Sequence, residues 1–271
     1  MTNATININA EPSTPEQFEY IELDHTEMNG ASALPRETAL AISYNGISQA
    51  VMMVSPGNFE DFIRGFSLTS DVVHSLDEIY DIQVTESGDS HRAEVAISSR
   101  AFWALKRSRR QLAGTSGCGI CGTDAIDQAL PQLTGLTHTP IPNADLFGDL
   151  RNRISVAQQV GRHSGALHAA LYIDTKGHVR LCREDIGRHN ALDKLIGAMI
   201  NAGQNPRDGF VVVTSRCSLE LIHKAVRAQI GTLVSLSAPT ALTVQWARRY
   251  GLNLIHVPHH SAPRVYSPAP G

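Results

Sequence analysis

With 271 residues, 42% of them hydrophobic and 18% charged, the chain can bury a substantial core and is not a disordered sequence. A net charge of -3 argues against a dedicated nucleic-acid binder, which is usually basic. Residues 1–35 hold six acidic side chains and no Lys or Arg, which does not fit a secretory signal, and no later run reaches the ~18 apolar residues of a membrane span. A cytoplasmic protein without membrane insertion is therefore expected.

Residues 1–17 are polar, with Pro12 and Pro15, and read as a mobile tail. The apolar stretches Ala39–Tyr44 and Ile47–Val54 flank Asn45-Gly46, the strongest short signal for a hairpin. Asn58 is placed to cap a helix through Phe59, Phe62, Ile63 and Phe66, which share one face. Ile79–Val84 and Ala93–Ile97 read as strands. Ala101–Arg110 reads as a helix ending in Lys106, Arg107, Arg109 and Arg110, cations that suit a helix C-terminus. A glycine-rich loop follows, Gly114–Gly122, and then a helix capped by Thr123 or Asp124.

From about Gly165 the texture changes. Strand-like runs at Ala169–Ile173, Val179–Cys182, Phe210–Thr214, Leu233–Ser237 and Leu252–Val257 enclose helical stretches near 190–201, 217–229 and 239–250. Strands alternating with helices predict an α/β (α+β) fold, a mixed sheet covered by helices, with a smaller N-terminal lobe. The expected organisation is a tail over 1–17, an N-terminal lobe over 18–140 that carries the cysteine loop, an α/β domain over 141–266, and a tail over 267–271.

Four cysteines, at 118, 121, 182 and 217, are too few for a disulfide scaffold. In a reducing compartment the close pair Cys118-Gly-Ile-Cys121 points to catalysis or metal binding. A helix N-terminus beside it favours thiolate, the form that attacks a sulfur donor and carries a persulfide. The glycines at 114, 117, 119 and 122 leave room for a partner's cysteine. Two alternatives stay open. One is half of a zinc site, which would need two further ligands, although Cys182 and Cys217 are isolated. The other is a thioredoxin-like redox pair, which should follow a strand rather than a basic helix.

A second constellation runs from Cys182 to Lys194. It sets Arg183, Glu184, Asp185, Arg188, His189, Asn190, Asp193 and Lys194 between a strand end and a helix start, where α/β sheets bind ligands. The plainer reading is a solvated helix start with ion pairs. Gly161–His168 adds two histidines, of which His168 more often fits a core position than a ligand. Thr214–Cys217 and Ser235–Thr240 place hydroxyls at further strand ends, by default as helix caps. Cys217 is read as a small buried residue.

Three motifs, in this order and spacing, resemble the FdhD family: Gly117-Cys-Gly-Ile-Cys-Gly122, Arg183-Glu-Asp-Ile-Gly-Arg-His-Asn-Ala-Leu-Asp-Lys194 and Ser237-Ala-Pro-Thr240. The resemblance spans roughly residues 38–255. It implies a sulfurtransferase required for formate dehydrogenase activity, with a fold related to cytidine deaminases and a tendency to dimerise. Such a protein takes sulfur from a cysteine desulfurase as a persulfide on the CxxC loop. It passes that sulfur to molybdenum bis(molybdopterin guanine dinucleotide), bis-MGD, which is its bound substrate; it has no catalytic metal of its own. By the same resemblance Cys118 carries the persulfide and Cys121 assists; Arg183, Arg188 and His189, set at the strand end and helix start, are expected to hold the cofactor's phosphate or pterin groups.

The chain also departs from the family. Gly165-Ala166 stands where two glycines are common, and Gly117 replaces the proline of the deaminase zinc signature. After the last strand, Val257, Pro258, His259, His260, Ser261 and Ala262 occupy the position of a cofactor-binding loop, with histidine in place of arginine. The rival functional readings are a bis-MGD delivery chaperone that moves no sulfur and a zinc-stabilised interaction module.

Overall fold

The structure, a computed structural model, describes residues 15–114 and 131–270. The expected tail up to residue 14, Cys118, Cys121 and the expected helix after them lie outside the described residues. The chain opens with a two-stranded antiparallel ladder, β1 (Glu16–Glu22) on β2 (His25–Leu34). Phe18, Tyr20, Ile21 and Leu23 are exposed on it.

A four-stranded sheet follows in the order β4-β3-β6-β5. In it, β3 (Thr38–Tyr44) and β4 (Ile47–Val54) form the predicted hairpin, and β5 (Ile79–Ser87) pairs with β6 (Ser90–Ile97). Asn45 and Gly46 take φ of 46° and 79°, the left-handed pair that a tight hairpin turn requires. Alternate residues of β3 point inward, and Leu40, Ile42 and Tyr44 are fully buried against α1 (Phe59–Thr69) and α2 (Ser99–Gly114). Asn58 does occupy the N-cap position of α1. It caps without its side chain, because its own backbone is left-handed (φ 53°). α2 runs on past Arg110 to Gly114, so the basic run predicted at its end falls short of the last turn.

The larger sheet has the order β12-β11-β10-β9-β7-β8. Its strands are β7 (His168–Asp174), β8 (Val179–Asp185), β9 (Gly209–Val213), β10 (Thr232–Ser235), β11 (Asn253–His256) and β12 (Arg264–Ser267). β9, β10 and β11 are mutually parallel, and β8 runs the same way, because β7 is antiparallel to both β8 and β9. Every residue of β9, β10 and β11 is buried, since helices or loops cover both faces. On one face α5 (Arg188–Asn201), α6 (Leu219–Arg227) and α7 (Ala241–Tyr250) bury Tyr172, Val211, Val213 and Leu233. On the other, Phe147 and α3 (Leu150–Ala157) cover Leu171, Ile173, Val212 and Ile255. A single helical turn, α4 (Gly161–Ser164), precedes β7. The fold class is mixed α/β, as expected. Ser267, placed in the expected tail, is instead the buried end of β12, and Leu133 and Leu136 already pack on the second core ahead of residue 140.

The two layers meet where α1 crosses α5. A Cβ built on Gly65 would lie 1.9 Å from the Asp193 carbonyl oxygen, and one on Gly197 would lie 1.9 Å from that of Asp61. Glycine at both positions lets the helix backbones touch.

Candidate functional site

The shared direction of β8, β9, β10 and β11 brings their carboxyl ends to one edge of the sheet, together with the amino ends of β7 and β12. That edge is the usual ligand crevice of an α/β sheet. It gathers His168, the Ile186–His189 turn, Thr214–Cys217, Leu236–Thr240 and the loop after His256.

The motif from Cys182 to Lys194 divides sharply here. Most of its polar groups face the smaller sheet and are consumed in structure. Asp185, fully buried, forms an ion pair with Lys194 Nζ (2.8 Å) and accepts from the backbone N–H of Ser55 (3.0 Å) and Gly187 (2.9 Å) and from Asn190 Nδ2 (2.9 Å). Lys194 Nζ also donates to the Ser55 carbonyl (2.8 Å), and Asn190 to that of Met53 (2.8 Å). Asp193 accepts from Thr69 Oγ1 (2.7 Å) and Lys224 Nζ (2.8 Å). Burial pushes the Asp193 carboxyl up and the Lys194 ammonium down, and the paired charges oppose both shifts. Glu184 accepts from three successive backbone N–H groups, Gln159, Val160 and Gly161, which fixes the turn before α4.

Arg183 was expected on the cofactor, and the structure places it elsewhere. It is 6% exposed, and its Nε donates to Asp61 Oδ2 at 2.8 Å, while Nη1 donates to the Cys182 carbonyl at 2.8 Å. Asp61 is held from its other side by Asn201 Nδ2 (2.8 Å). Arg183 therefore sits in the contact between the layers. A guanidinium enclosed this way cannot reach a ligand without abandoning a buried carboxylate.

Arg188, the first residue of α5, behaves oppositely. Its side chain makes no hydrogen bond to any described residue, and its Nε is enclosed without a partner among them. An enclosed guanidinium N–H left unpaired is costly, and an anion in the crevice would satisfy it. Beside it, His189 Nε2 lies 3.1 Å from both Ser218 Oγ and Glu220 Oε2. Burial, followed by the charges of Arg188, Lys224 and His168, pushes His189 down to about 4. It is thus a neutral imidazole at pH 7, suited to hydrogen bonding rather than to charge neutralisation. His168 is lowered in the same way, by burial first and then by Arg188.

The hydroxyl-rich strand ends act as caps and ties. Thr214 Oγ1 accepts from the Ala169 N–H (2.9 Å), Ser235 Oγ lies 3.1 Å and 2.8 Å from the carbonyl oxygens of Ser215 and Ser237, and Thr240 caps α7 through the Thr243 N–H (3.3 Å). In the last loop Val257 is a core residue whose N–H donates to the Ser235 carbonyl (2.9 Å), so its side chain is unavailable to a ligand. Pro258 is half-buried, while His259, His260, Ser261 and Ala262 are exposed, with the two imidazoles 4.2 Å apart. Of the expected site residues, Arg188, His189 and the 258–262 loop thus lie at one edge, and Arg183 does not. Cys182 and Cys217 are buried in the cores on opposite faces of the large sheet.

This edge, with Arg188 opening α5 and further strand ends beside it, is the place where an α/β fold offers room for a ligand. Residues 35–270 match the model of the FdhD/NarQ family. A sulfur carrier protein FdhD from Cupriavidus necator is 38% identical over 259 residues, covering 95% of this chain and 90% of that protein. One from Bordetella petrii is 39% identical over 232 residues, covering 85% and 83%. The fold is shared with the crystal structure of a protein from Desulfotalea psychrophila described as a formate dehydrogenase accessory protein. The TM-score is 0.71 at 21% identity, over 95% of this chain and 99% of that one. The chain belongs to the FdhD/NarQ family. Among the described residues no helix is long and apolar enough to cross a membrane.

Proposed function

We propose that this chain is a sulfurtransferase that carries sulfur as a persulfide on Cys118 and delivers it to bis-MGD for a formate dehydrogenase. Its relatives are sulfur carrier proteins, which supports the sulfur-carrying role. The donor is a cysteine desulfurase. Cys118 thiolate attacks the terminal sulfur of the donor's persulfide; the donor's S–S bond breaks as the new one forms, and the donor cysteine leaves as thiolate. Cys121 thiolate then attacks Cys118 Sγ, closing a disulfide and expelling hydrosulfide to the cofactor, and a cellular thiol reductant reopens the pair.

The observation that carries this reading is the state of the other two cysteines. Burial pushes the Cys182 thiol far up, with Glu184 adding to the shift, and pushes Cys217 up to about 12. Neither supplies a thiolate near neutral pH, so sulfur chemistry falls to Cys118 and Cys121. The cofactor, as bound substrate, is assigned to the crevice, with Arg188 on phosphate, His189 as a neutral hydrogen-bonding group, and the loop from Pro258 to Ala262 at the rim. The enclosed, unpartnered Nε of Arg188 fits a phosphate oxygen. We read the large sheet as kin to the cytidine deaminases and the protein as a cytoplasmic homodimer.

The rival reading is a delivery chaperone that binds bis-MGD without moving sulfur. Incubation with cysteine and a desulfurase, followed by peptide mass spectrometry, separates the two. One added sulfur on the 118–121 peptide is expected. An unmodified peptide under conditions that load a known carrier leaves the chaperone.

A further inference from the structure

α2 carries charge that the fold does not explain. Residues 95–123 contain Arg100, Lys106, Arg107, Arg109 and Arg110 and no Asp or Glu. Because α2 continues to Gly114, the cations from Lys106 to Arg110 stand ahead of its last turn, where the helix dipole rewards them little. Lys106 precedes Arg109 and Arg110 by three and four positions, and Arg107 precedes Arg110 by three, spacings at which like charges destabilise a helix. Arg100 is paired with Glu78 (3.0 Å), whereas among the described residues Lys106 and Arg107 have no carboxylate partner.

The same helix is aromatic on its open side. Trp103 is 53% exposed, and its ring meets Phe102 edge-on with centroids 6.2 Å apart. Lys106 Nζ stands 5.0 Å from the Trp103 centroid and 4.9 Å from that of Phe102, which holds the ammonium and the indole as one unit. Arg100, Trp103 and Arg107, at i, i+3 and i+7, form one exposed stripe. A tryptophan set between arginines is the composition of a protein-binding hot spot.

Chain length ties this stripe to the cysteine loop. Four peptide steps separate Gly114 from Cys118, so their Cα atoms lie within roughly 14 Å of each other in any conformation. A protein that hands sulfur to Cys118 has to bring its own cysteine to bonding distance. The Cys118 thiolate attacks its terminal sulfur, and the S–S bond of that protein breaks as its cysteine leaves as thiolate. Such a partner therefore comes to rest next to the end of α2. We propose that the Arg100–Arg107 face of α2 is the docking surface for the sulfur-donating protein, met by an acidic patch on that protein with an apolar recess for Trp103. Opposite charge steers the encounter and fixes its orientation, and the indole anchors it. This deepens the sulfur-carrier reading and rests on it for the purpose of the contact. The net charge of -3 disfavours the other polyanion that a basic helix could meet, a nucleic acid.

The rate of sulfur loading on the 118–121 peptide of the full-length protein, followed by mass spectrometry at low and high salt, tests the surface. Loading from a persulfide-charged cysteine desulfurase is compared with loading from glutathione persulfide, which offers the same sulfur without a protein surface. In Lys106→Gln/Arg107→Gln and in Trp103→Ser, loading from the desulfurase should slow at least about tenfold at low salt. High salt should slow the parent but barely change the glutamine pair. Glutathione persulfide should load all three proteins alike. The melting temperature of the glutamine pair should not fall, because that pair loses only like-charge repulsion. Desulfurase loading at the parental rate in both variants overturns the docking surface and leaves the sulfur carrier standing. Equal slowing with both donors also overturns it, since the defect then lies at the cysteines. If neither donor loads the parent, the carrier reading and the surface fall together. A single-stranded RNA bound by the parent and released by the glutamine pair, with desulfurase loading unchanged, gives α2 to nucleic acid instead.

Discussion

Gly65 on α1 rests so close to Asp193 on α5 that a Cβ added to it would lie 1.9 Å from the Asp193 carbonyl oxygen. A Cβ added to Gly197 would likewise lie 1.9 Å from the Asp61 carbonyl oxygen. The two sheets are thus joined by backbone contact, and the obstructing atoms are main chain, which cannot swing aside. Gly65→Ala and Gly197→Ala should each cost ~3 kcal/mol or more, at or above the upper end for overpacked sites. Urea midpoints measure this. A loss below ~0.5 kcal/mol in both would mean that the helices separate without cost.

The buried pair of Asp193 and Lys224 stands beside that crossing, with side chains 1% and 7% exposed. Lys224→Met leaves a buried carboxylate without its cation and should destabilise by ~3–5 kcal/mol. The double variant Asp193→Leu/Lys224→Met should recover much of that loss, because no uncompensated charge remains. Equal instability of single and double variants in chemical denaturation would show that packing, and not charge, dominates here.

Arg183 and Arg188 lie five positions apart in one motif and should fail differently. Arg183→Ala exposes Asp61 to an unpaired, enclosed state and should cost ~3–5 kcal/mol of stability. Arg188→Ala removes no hydrogen bond to a described residue, should leave the melting temperature nearly unchanged, and should weaken GDP binding by ~1.5–3 kcal/mol. Thermal scanning with calorimetry on both variants decides it, and a reversed pattern would exchange their roles.

Acid should loosen the fold through its buried and half-buried histidines. His189 and His223 are each pushed down to about 4, mainly by burial, and His168 and His256 move the same way. Below the ordinary histidine value near 6.5 the unfolded chain takes up protons that the folded chain refuses. Stability from these groups is therefore full above about pH 6.5 and falls steadily as the pH drops towards 4. The urea midpoint should decline between pH 7 and pH 4.5, with a shallower slope in His223→Phe. A flat profile over that range contradicts the enclosure of these rings, above all of buried His223 and His256.

Cys118→Ala should abolish maturation of the client dehydrogenase, and Cys121→Ala should impair it less if Cys121 only releases the sulfur. Neither cysteine can recruit Cys182 or Cys217 into a four-thiolate zinc site, since those two lie in cores on opposite faces of one sheet. Elemental analysis should find well under one zinc per chain. Stoichiometric zinc whose removal unfolds the protein would overturn the sulfur-carrier reading.

Local rules were enough for much of this molecule. The Asn45-Gly46 hairpin, the helix from Phe59, every inner strand of the large sheet and the helices following β8, β9 and β10 were legible, because turn chemistry and apolar periodicity act over a few residues. The β1–β2 ladder was not: all seven residues of β1 are exposed, so no burial alternates along it to leave a pattern. The 150–157 helix went unread for a related reason, since only Leu150, Ile154 and Ala157 of it are buried. The motif from Cys182 to Lys194 was visible as a concentration of charge, but the sequence could not sort its members. Arg183 finds Asp61, 122 positions away, and Asp185 finds the Ser55 amide, 130 positions away, whereas Arg188 finds no described hydrogen-bond partner. Partner choice over such separations depends on where α1 crosses α5, and only the assembled structure sets that.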